Sequence, residues 1–307
     1  MKQVSFQKPA QPDRVGTFTI ARALPNRAVT AIGPFMLLDH LPRREIAAGE
    51  LPEPDGSFAH PHAGIVTFTY VMEGAMTHFD SLGNNSTVTG GGVQWMNAGN
   101  GIIHDEMLAT PLRRDGGVLH SFQFWINLPA PNKVEPAKYM PVASSDLPVV
   151  MLAGGRGEVK VLLGGYDGQS SPIPTYAGEF IWHLRIEPLA TVDIALRAGL
   201  PVAGYLPTHG AMVGNARIDA HTLIGLDARG GTLEITNPAV EPLDLLLFGG
   251  DAITDPIAMR GPFVMNSEGE LAQAFRAYRA GEFGRITYPA DHAAHKSGTN
   301  AAKPQES

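Results

Sequence analysis

Short runs of β-branched and aromatic residues recur along the chain, and clusters of turn-forming residues separate them. The clearest stretch runs from His60 to Glu73 and is predicted as one strand, with its β-branched and aromatic residues at 65–71. Other runs cover 93–96, 120–128 and 180–186. The stretch 97–101 that follows the second run contains two Asn and two Gly. Runs of this kind predict strands, and short strands with frequent turns are typical of antiparallel barrels and sandwiches. With 35 Gly and 25 Pro available for turns, the chain is predicted to be all-β.

The chain is long enough for two domains, because 307 residues is about twice an ordinary domain length. A Pro-rich stretch over 129–148 has weak patterning, and we interpret it as a linker. We therefore predict an N-terminal domain over 1–130, a second domain of the same architectural class over 146–287, and a flexible tail over 288–307. A polar loop is predicted over 46–57.

One short helix is predicted near the C-terminus. Residues 267–270 have the S-x-x-E spacing of a capping box, which satisfies backbone N–H groups at a helix start. Leu271, Phe275 and Tyr278 follow at positions that share one helical face. Gly281 is placed as the C-terminal stop. We expect this helix to pack on a barrel.

Charge and composition exclude several function classes. The net charge is −7, with no long basic run, so direct binding of nucleic acid is disfavoured. The chain contains no Cys, which excludes disulfides and cysteine-based structural zinc sites. The N-terminus lacks the apolar segment of a signal peptide, and no run approaches the ~18–20 apolar residues that cross a bilayer. A cytoplasmic protein is expected, and binding to a protein partner stays open.

Two pairs of potential metal ligands are the strongest functional signal. His60 and His62 form one pair, and His104 and Glu106 form the other. Residues two apart in a strand project from the same face, so two facing strands would close all four side chains on one metal ion. Imidazole and carboxylate donors suit iron, copper, nickel or zinc. In a chain without Cys, such a metal is predicted to do chemistry.

Several motifs surround or follow these pairs, at 58–64, 67–70, 73–74, 78–83, 93–106, 246–250 and 261–266. Together they resemble the pirin family, and the resemblance spans roughly residues 1–286. The resemblance implies a bicupin, with two antiparallel double-stranded β-helix (jelly-roll) barrels and a metal in the N-terminal barrel alone. It implies His60, His62, His104 and Glu106 as the metal ligands.

The family resemblance implies two functions between which the residues do not decide. Some pirins are quercetin 2,3-dioxygenases, which cleave the flavonol quercetin with O2 and release carbon monoxide. For this chain that implies Fe(II), a flavonol-like aromatic substrate, O2, and Glu106 as the group that accepts the substrate's proton. Other pirins are transcriptional cofactors, which implies a metal-dependent or redox-sensing regulator that binds a protein partner. The ligand set also accepts nickel, copper, manganese or zinc.

The chain departs from the better-known pirins at two positions near the ligands. Ala63 and Val66 stand where those proteins carry Arg and Glu. A wider cupin pattern also places a glutamate ligand at about position 66 or 67, so the carboxylate is expected from Glu106. The two changes leave the four predicted metal ligands in place but alter residues near the pocket. The family resemblance therefore supports a metal site in this chain more strongly than it supports quercetin as the substrate. A different cupin reaction, such as an isomerisation without O2, also stays open.

The remaining histidines are predicted to be structural or to support the ligands. In the C-terminal half, His183, His209 and His221 have no ligand partner two residues away, so no second metal is expected there. His78 and His120 lie near the site motifs and are placed either behind the ligands or in turns.

Overall fold

The computed structural model describes residues 1–51 and 56–288 and confirms the all-β prediction. The first thirteen strands are β1 (Val4–Pro9), β2 (Gln11–Val15), β3 (Phe18–Leu24), β4 (Phe35–Ile46), β5 (His60–His62), β6 (Ile65–Glu73), β7 (Ala75–Asp80), β8 (Asn85–Thr89), β9 (Val93–Asn97), β10 (Ile102–Leu108), β11 (Gly117–Asn127), β12 (Lys138–Val142) and β13 (Val149–Met151).

The second half of the chain continues in the same way. Its strands are β14 (Gly157–Leu163), β15 (Gly165–Tyr166), β16 (Gln169–Ser170), β17 (Phe180–Ile186), β18 (Thr191–Leu196), β19 (Val202–Leu206), β20 (Ala211–Val213), β21 (Ala216–Ile218), β22 (Thr222–Leu226), β23 (Gly231–Thr236), β24 (Leu243–Gly249), β25 (Ala258–Arg260) and β26 (Phe263–Met265). The α-helices in the described residues are α1 (Thr110–Asp115) and α2 (Glu268–Arg279). Neither is long and apolar enough to span a bilayer.

The chain forms two compact units, and neither is continuous in sequence. Unit C comprises 1–42, 122–126 and 145–253, and the described residues of unit N are 43–51, 56–121, 127–144 and 254–288. The N-terminal segment of the chain therefore belongs to the unit built from C-terminal strands. The domain boundaries predicted in chain order, 1–130 and 146–287, stay a prediction.

Unit C has a core formed by alternating strands. A seven-stranded sheet has the order β1-β22-β19-β24-β17-β14-β13, and a four-stranded sheet has the order β18-β23-β20-β21. In β18 the residues Val192, Ile194 and Leu196 are buried while Asp193 and Ala195 are exposed. This period-two pattern indicates a sheet with one face on the core and one face in solvent.

Unit N has a four-stranded sheet of order β5-β10-β7-β8, and β12, β9 and β6 are consecutive neighbours in a second sheet. The helix α2 begins after Ser267, whose hydroxyl accepts a hydrogen bond from the Glu270 backbone at 3.2 Å. Leu271 is fully buried, and Phe275 packs on Phe263 with ring centroids 4.6 Å apart. The helix ends before Gly281, at φ +80°, so the predicted start, stripe and stop are confirmed.

Two local expectations are wrong. The run 60–73 is not one strand, because Gly64 separates β5 from β6 at φ +76° and a Cβ there would lie 1.9 Å from the Val264 carbonyl oxygen. The Pro-rich stretch 129–148 is not a plain linker, since β12 lies within it and pairs with β9. Pro141 is tolerated because β12 is an edge strand, where a missing N–H costs no ladder bond.

Parts of two predicted segments lie outside the described residues. These parts are 52–55 in the predicted loop and 289–307 in the predicted tail. Tyr288, the first residue of that tail, donates a hydrogen bond to Asp105 Oδ2 at 2.7 Å. The helix α1 had no sequence prediction.

A candidate metal centre on one sheet face

The predicted ligand pairs lie on neighbouring strands of one sheet. In the register, His104 of β10 lies opposite His60 of β5 and opposite Asp80 of β7, and Glu106 lies opposite His78. Residues directly opposite in an antiparallel pair project from the same face. The parity prediction within β5 and within β10 is confirmed, but the two strands are adjacent and hydrogen-bonded instead of facing one another.

The ligand atoms form two overlapping groups. One group contains His60, His62 and His104, and the other contains His78, His104 and Glu106. Within each group the candidate ligand atoms lie within 4.8 Å of one another. His104 belongs to both groups. The sequence-predicted residues therefore meet around His104, and His78, which had been placed behind the ligands or in a turn, stands beside Glu106.

Backbone carbonyls fix the tautomers of two of the histidines. His60 Nδ1 lies 2.7 Å from the Phe58 carbonyl oxygen, and His62 Nδ1 lies 3.3 Å from the Pro262 carbonyl oxygen. A carbonyl oxygen only accepts hydrogen bonds, so both Nδ1 atoms carry the proton. In a neutral ring this leaves the Nε2 lone pair for a ligand, which is how metal-binding histidines are oriented.

The position and protonation state of His104 show that the cluster is suited to a cation. Its Nε2 lies 3.1 Å from His60 Nε2, and its buried Nδ1 has no hydrogen-bond partner among the described residues. Burial, followed by the nearby His60, lowers the pKa of His62 and of His104 well below 6.5. Neutral, converging imidazoles of this kind fit a divalent transition metal.

The site has one side open to solvent. His62 is 1% exposed and His104 is fully buried, but His60 is exposed. The cluster is therefore solvent-accessible at His60, whereas His62 and His104 are shielded from solvent. Dry surroundings strengthen electrostatic interactions with a bound ion.

Thr69 holds Glu106. The Thr69 hydroxyl donates to Glu106 Oε1 at 2.9 Å. By parity counted from His60, Thr69 is expected on the opposite face from the ligands. That expectation is wrong, because Gly64 interrupts the strand and the alternation restarts in β6.

His78 is anchored from behind by Asp80. His78 Nε2 lies 3.0 Å from Asp80 Oδ2, and Asn84 donates to the same carboxylate from its backbone and its side chain. Burial alone would raise the pKa of Asp80, but the hydrogen bonds from His78 and Asn84 outweigh it and lower that pKa. Tyr139 of β12 stacks on His78 with ring centroids 3.9 Å apart.

The other histidines lie outside both groups. His120 Nδ1 lies 3.8 Å from Glu73. His183 bonds Asp244 at 2.9 Å, and His209 lies 3.3 Å from the Asn237 side chain. Among the described residues, the potential metal-binding groups contain unit N side chains alone.

Lys133 supports the turn that follows the first ligand pair. Its side chain is 1% exposed, and Nζ donates to the carbonyl oxygens of Gly64 and Val264 at 2.8 Å and to Asn127 Oδ1 at 2.6 Å. Burial lowers the pKa of Lys133 to about 8, against the raising effect of nearby carboxylates. No sequence pattern marks this residue, because its partners are distant in the chain.

Family profiles match both cupin segments. Residues 17–126 match Pirin, and residues 181–284 match the Pirin C-terminal cupin domain. The chain belongs to the pirin family. A Vibrio cholerae relative of this pirin is named "Putative quercetin 2,3-dioxygenase"; it is 34% identical over 92% of this chain and 98% of its own. A tomato relative named "Pirin-like protein" is 30% identical over 86% of this chain and 87% of its own.

Solved structures share the bicupin fold. A quercetin 2,3-dioxygenase from Acinetobacter baumannii superposes on this pirin with a TM-score of 0.85, at 27% identity over 94% of this chain and 100% of its own. A bacterial pirin from Escherichia coli, solved in complex with nickel(II), has a TM-score of 0.61 at 17% identity over 81% of this chain and 99% of its own. The predicted bicupin fold is confirmed.

Proposed function

We propose that this pirin is a metal-dependent dioxygenase that opens the ring of quercetin or a related flavonol with O2. One observation carries the proposal: His60, His62 and His104 converge at a solvent-accessible edge of a buried face, with Glu106 beside His104. Histidine and carboxylate donors with open positions are typical of non-haem oxygenases. The names of the Vibrio relative and the Acinetobacter structure support the substrate class.

The proposed ligands are His60, His62, His104 and Glu106, holding one Fe(II). A bound divalent metal would act as a Lewis acid that lowers the pKa of a flavonol hydroxyl and makes the ring electron-rich toward O2. Nickel, copper, manganese and zinc accept the same donors, and the E. coli pirin binds nickel.

Glu106 is proposed to take the proton of the substrate hydroxyl. Its carboxylate is half-buried, and Thr69 fixes one oxygen by donating to it. A positioned carboxylate within reach of an acidified hydroxyl is a competent general base. Both atoms of O2 then enter the ring-opened ester and one ring carbon leaves as carbon monoxide, so the atoms balance without another reductant.

An oxygen electrode tests this proposal. The protein is loaded anaerobically with Fe(II), and its metal content is measured before quercetin and air are added. We expect O2 uptake with an equal amount of carbon monoxide, absent in His62→Ala and retained in His209→Ala. A fully loaded protein that consumes no O2 with any flavonol would contradict the proposal and favour a protein-binding regulator.

A further inference from the structure

The ligand cluster contains two sets of donors that differ in chemistry. His60, His62 and His104 offer three imidazoles, whereas His78, His104 and Glu106 offer two imidazoles and a carboxylate. Among the described residues, no potential metal-binding group contains Glu106 together with His60 or His62. The cluster therefore has two positions at which three donors converge, and His104 is common to both.

His78 has the surroundings of a metal-binding histidine. Its Nε2 lies 3.0 Å from Asp80 Oδ2, and hydrogen bonds hold the pKa of Asp80 below its ordinary value. Because an ionised carboxylate only accepts hydrogen bonds, Nε2 carries the proton and the lone pair of His78 Nδ1 remains for a ligand. A carboxylate behind the other ring nitrogen is typical of histidines that bind metals.

The orientation of the His78 ring is fixed on two sides. Asp80 Oδ1 accepts from the backbone N–H groups of Leu82 and Asn84 at 2.9 Å and 3.0 Å, and Oδ2 accepts from the Asn84 side chain at 2.8 Å. The Tyr139 ring stacks on His78 with an angle of 5° between the two planes. A ring that is held in place before an ion arrives loses little conformational freedom on binding it.

Glu106 supplies an oxygen donor to the position beside His78. Thr69 donates to Glu106 Oε1 at 2.9 Å and holds the carboxylate in place. Glu106 is partly exposed, so this position is connected to solvent although His78 and His104 are buried. A metal ion lies about 2 Å from its donors, nearer than a hydrogen-bonded water molecule does, so buried nitrogens stay within reach of an ion.

The two positions prefer different metals and compete for one ion. Three neutral imidazoles suit nickel, copper and zinc, whereas a carboxylate favours oxygen-preferring ions such as manganese. A neutral imidazole has a single lone pair, so His104 binds one ion at a time. Two divalent ions side by side would also repel each other strongly in buried surroundings.

We infer that the metal centre has two alternative positions for one divalent cation, and that His78 is a ligand in the second. Ni(II) occupies the position formed by His60, His62 and His104. Mn(II) occupies the position formed by His78, His104 and Glu106. The inference rests on the metal centre of the proposed function, but it needs neither a flavonol nor O2, so metal-binding measurements test it even if the protein is not a dioxygenase.

The affinities of the same variants for two metals test the inference. The metal-free full-length protein is titrated with Mn(II), whose free concentration is read by electron paramagnetic resonance, and with Ni(II) in equilibrium dialysis. His78→Ala should weaken Mn(II) binding at least about tenfold and change Ni(II) binding by less than about threefold. His60→Ala should do the reverse. His209→Ala in unit C is the control and should bind both metals as the wild type does.

The pattern of losses separates a ligand from a residue that only supports the others. A supporting role for His78 would weaken both metals equally in His78→Ala, and that result, or no loss at all, would overturn the inference. Simultaneous binding of one Ni(II) and one Mn(II) per chain would also overturn it. If His78→Ala does not fold, Glu106→Gln removes the carboxylate of the same position at nearly constant shape, and it should weaken Mn(II) binding alone; equal loss of both metals there would overturn the inference.

Discussion

The two four-stranded sheets of the molecule share an architecture and differ in what fills their inner faces. In unit N, the β5-β10-β7 face carries four histidines, a glutamate and an aspartate. In unit C, paired positions on β18 and β23 are Val192 with Ile235 and Ile194 with Leu233, and these four residues are buried. The cupin fold therefore supplies a frame, and the side chains on one face decide whether it can hold a metal.

Polar residues on a buried face need partners behind them. In unit N, His60 and His62 each have a backbone carbonyl, and His78 has Asp80. In unit C, His183 uses its Nε2 on Asp244 of the neighbouring strand. His183 belongs to neither potential metal-binding group of the described residues, whereas His60, His62 and His104 converge in one of them.

Replacing a proposed ligand should have the largest effect, and it tests whether metal binding depends on unit N alone. His62→Ala removes a buried imidazole that converges on His104, so metal affinity should fall by more than about 100-fold, beyond the usual cost of losing a supporting residue. The measurement is metal content per chain after dialysis. His209→Ala in unit C is the control and should keep its metal. Equal loss of metal in both variants would contradict the prediction that metal binding depends on unit N and not on unit C.

Lys133→Met should produce the next largest effect, on stability. It leaves three buried acceptors around the turn at Gly64 without their donor, which should cost about 3 kcal/mol in the free energy of unfolding. Lys2→Met in unit C is the matched control, because Lys2 is equally buried and donates to the Asp227 carbonyl oxygen at 2.7 Å. It should cost about 1 kcal/mol.

Urea unfolding of the metal-free proteins measures both lysine variants. A gain in stability in Lys133→Met would mean that the cost of burying the ammonium exceeds the value of its hydrogen bonds, as in some buried ion pairs. An equal loss of unfolding free energy in the two variants would mean that the three hydrogen bonds of Lys133 stabilise the protein no more than the one of Lys2.

The part of the site that the sequence predicts is the part encoded locally. The two-residue repeat of a strand was enough to predict that His60 pairs with His62 and His104 with Glu106. The helix α2 needed only its cap, stripe and stop. The family motifs added the two-barrel architecture. Each of these signals lies within a few consecutive residues.

The remainder depends on contacts between distant segments, which no local pattern contains. Gly64 interrupts its strand because Val264 lies against it, so Thr69 falls on the ligand side against the parity count. The sequence around Tyr139 predicts a linker, but in the structure this segment is the strand β12, which pairs with β9. Lys133 is defined by three acceptors from separate parts of the chain. Segment 1–42 likewise belongs to unit C because of contacts with residues far away in the sequence.

Thr69→Val should have a moderate effect and sharpens the role of Glu106. The substitution keeps the shape of the side chain and removes the 2.9 Å hydrogen bond to Glu106, which should lower metal affinity or turnover by about 10- to 30-fold. Thr67→Val is the control, being an equally buried threonine on the same strand, and it should change either quantity by less than about threefold. Identical behaviour of the two variants would show that Glu106 needs no fixed orientation.

The stability of the metal-free protein should also depend on pH. Burial keeps His62 and His104 neutral at pH values where unfolded histidines, with a pKa near 6.5, take up protons. The unfolded chain therefore binds more protons below pH 6.5, and stability should fall as the pH drops, by about 1.4 kcal/mol per pH unit for each such histidine.

His62→Gln removes one of these two groups, so the slope of unfolding free energy between pH 5 and pH 6 should decrease by about 1 kcal/mol per pH unit. Near pH 7.5 the two proteins should show equal slopes, because an unfolded histidine is then almost entirely neutral and His62 no longer contributes to the pH dependence. Urea unfolding at half-unit steps of pH gives these slopes. An unchanged slope in His62→Gln would mean that His62 takes up a proton in the folded state. Burial would then not keep the histidines of the unit N sheet neutral, and neutral imidazoles would no longer distinguish that sheet from the apolar sheet of unit C.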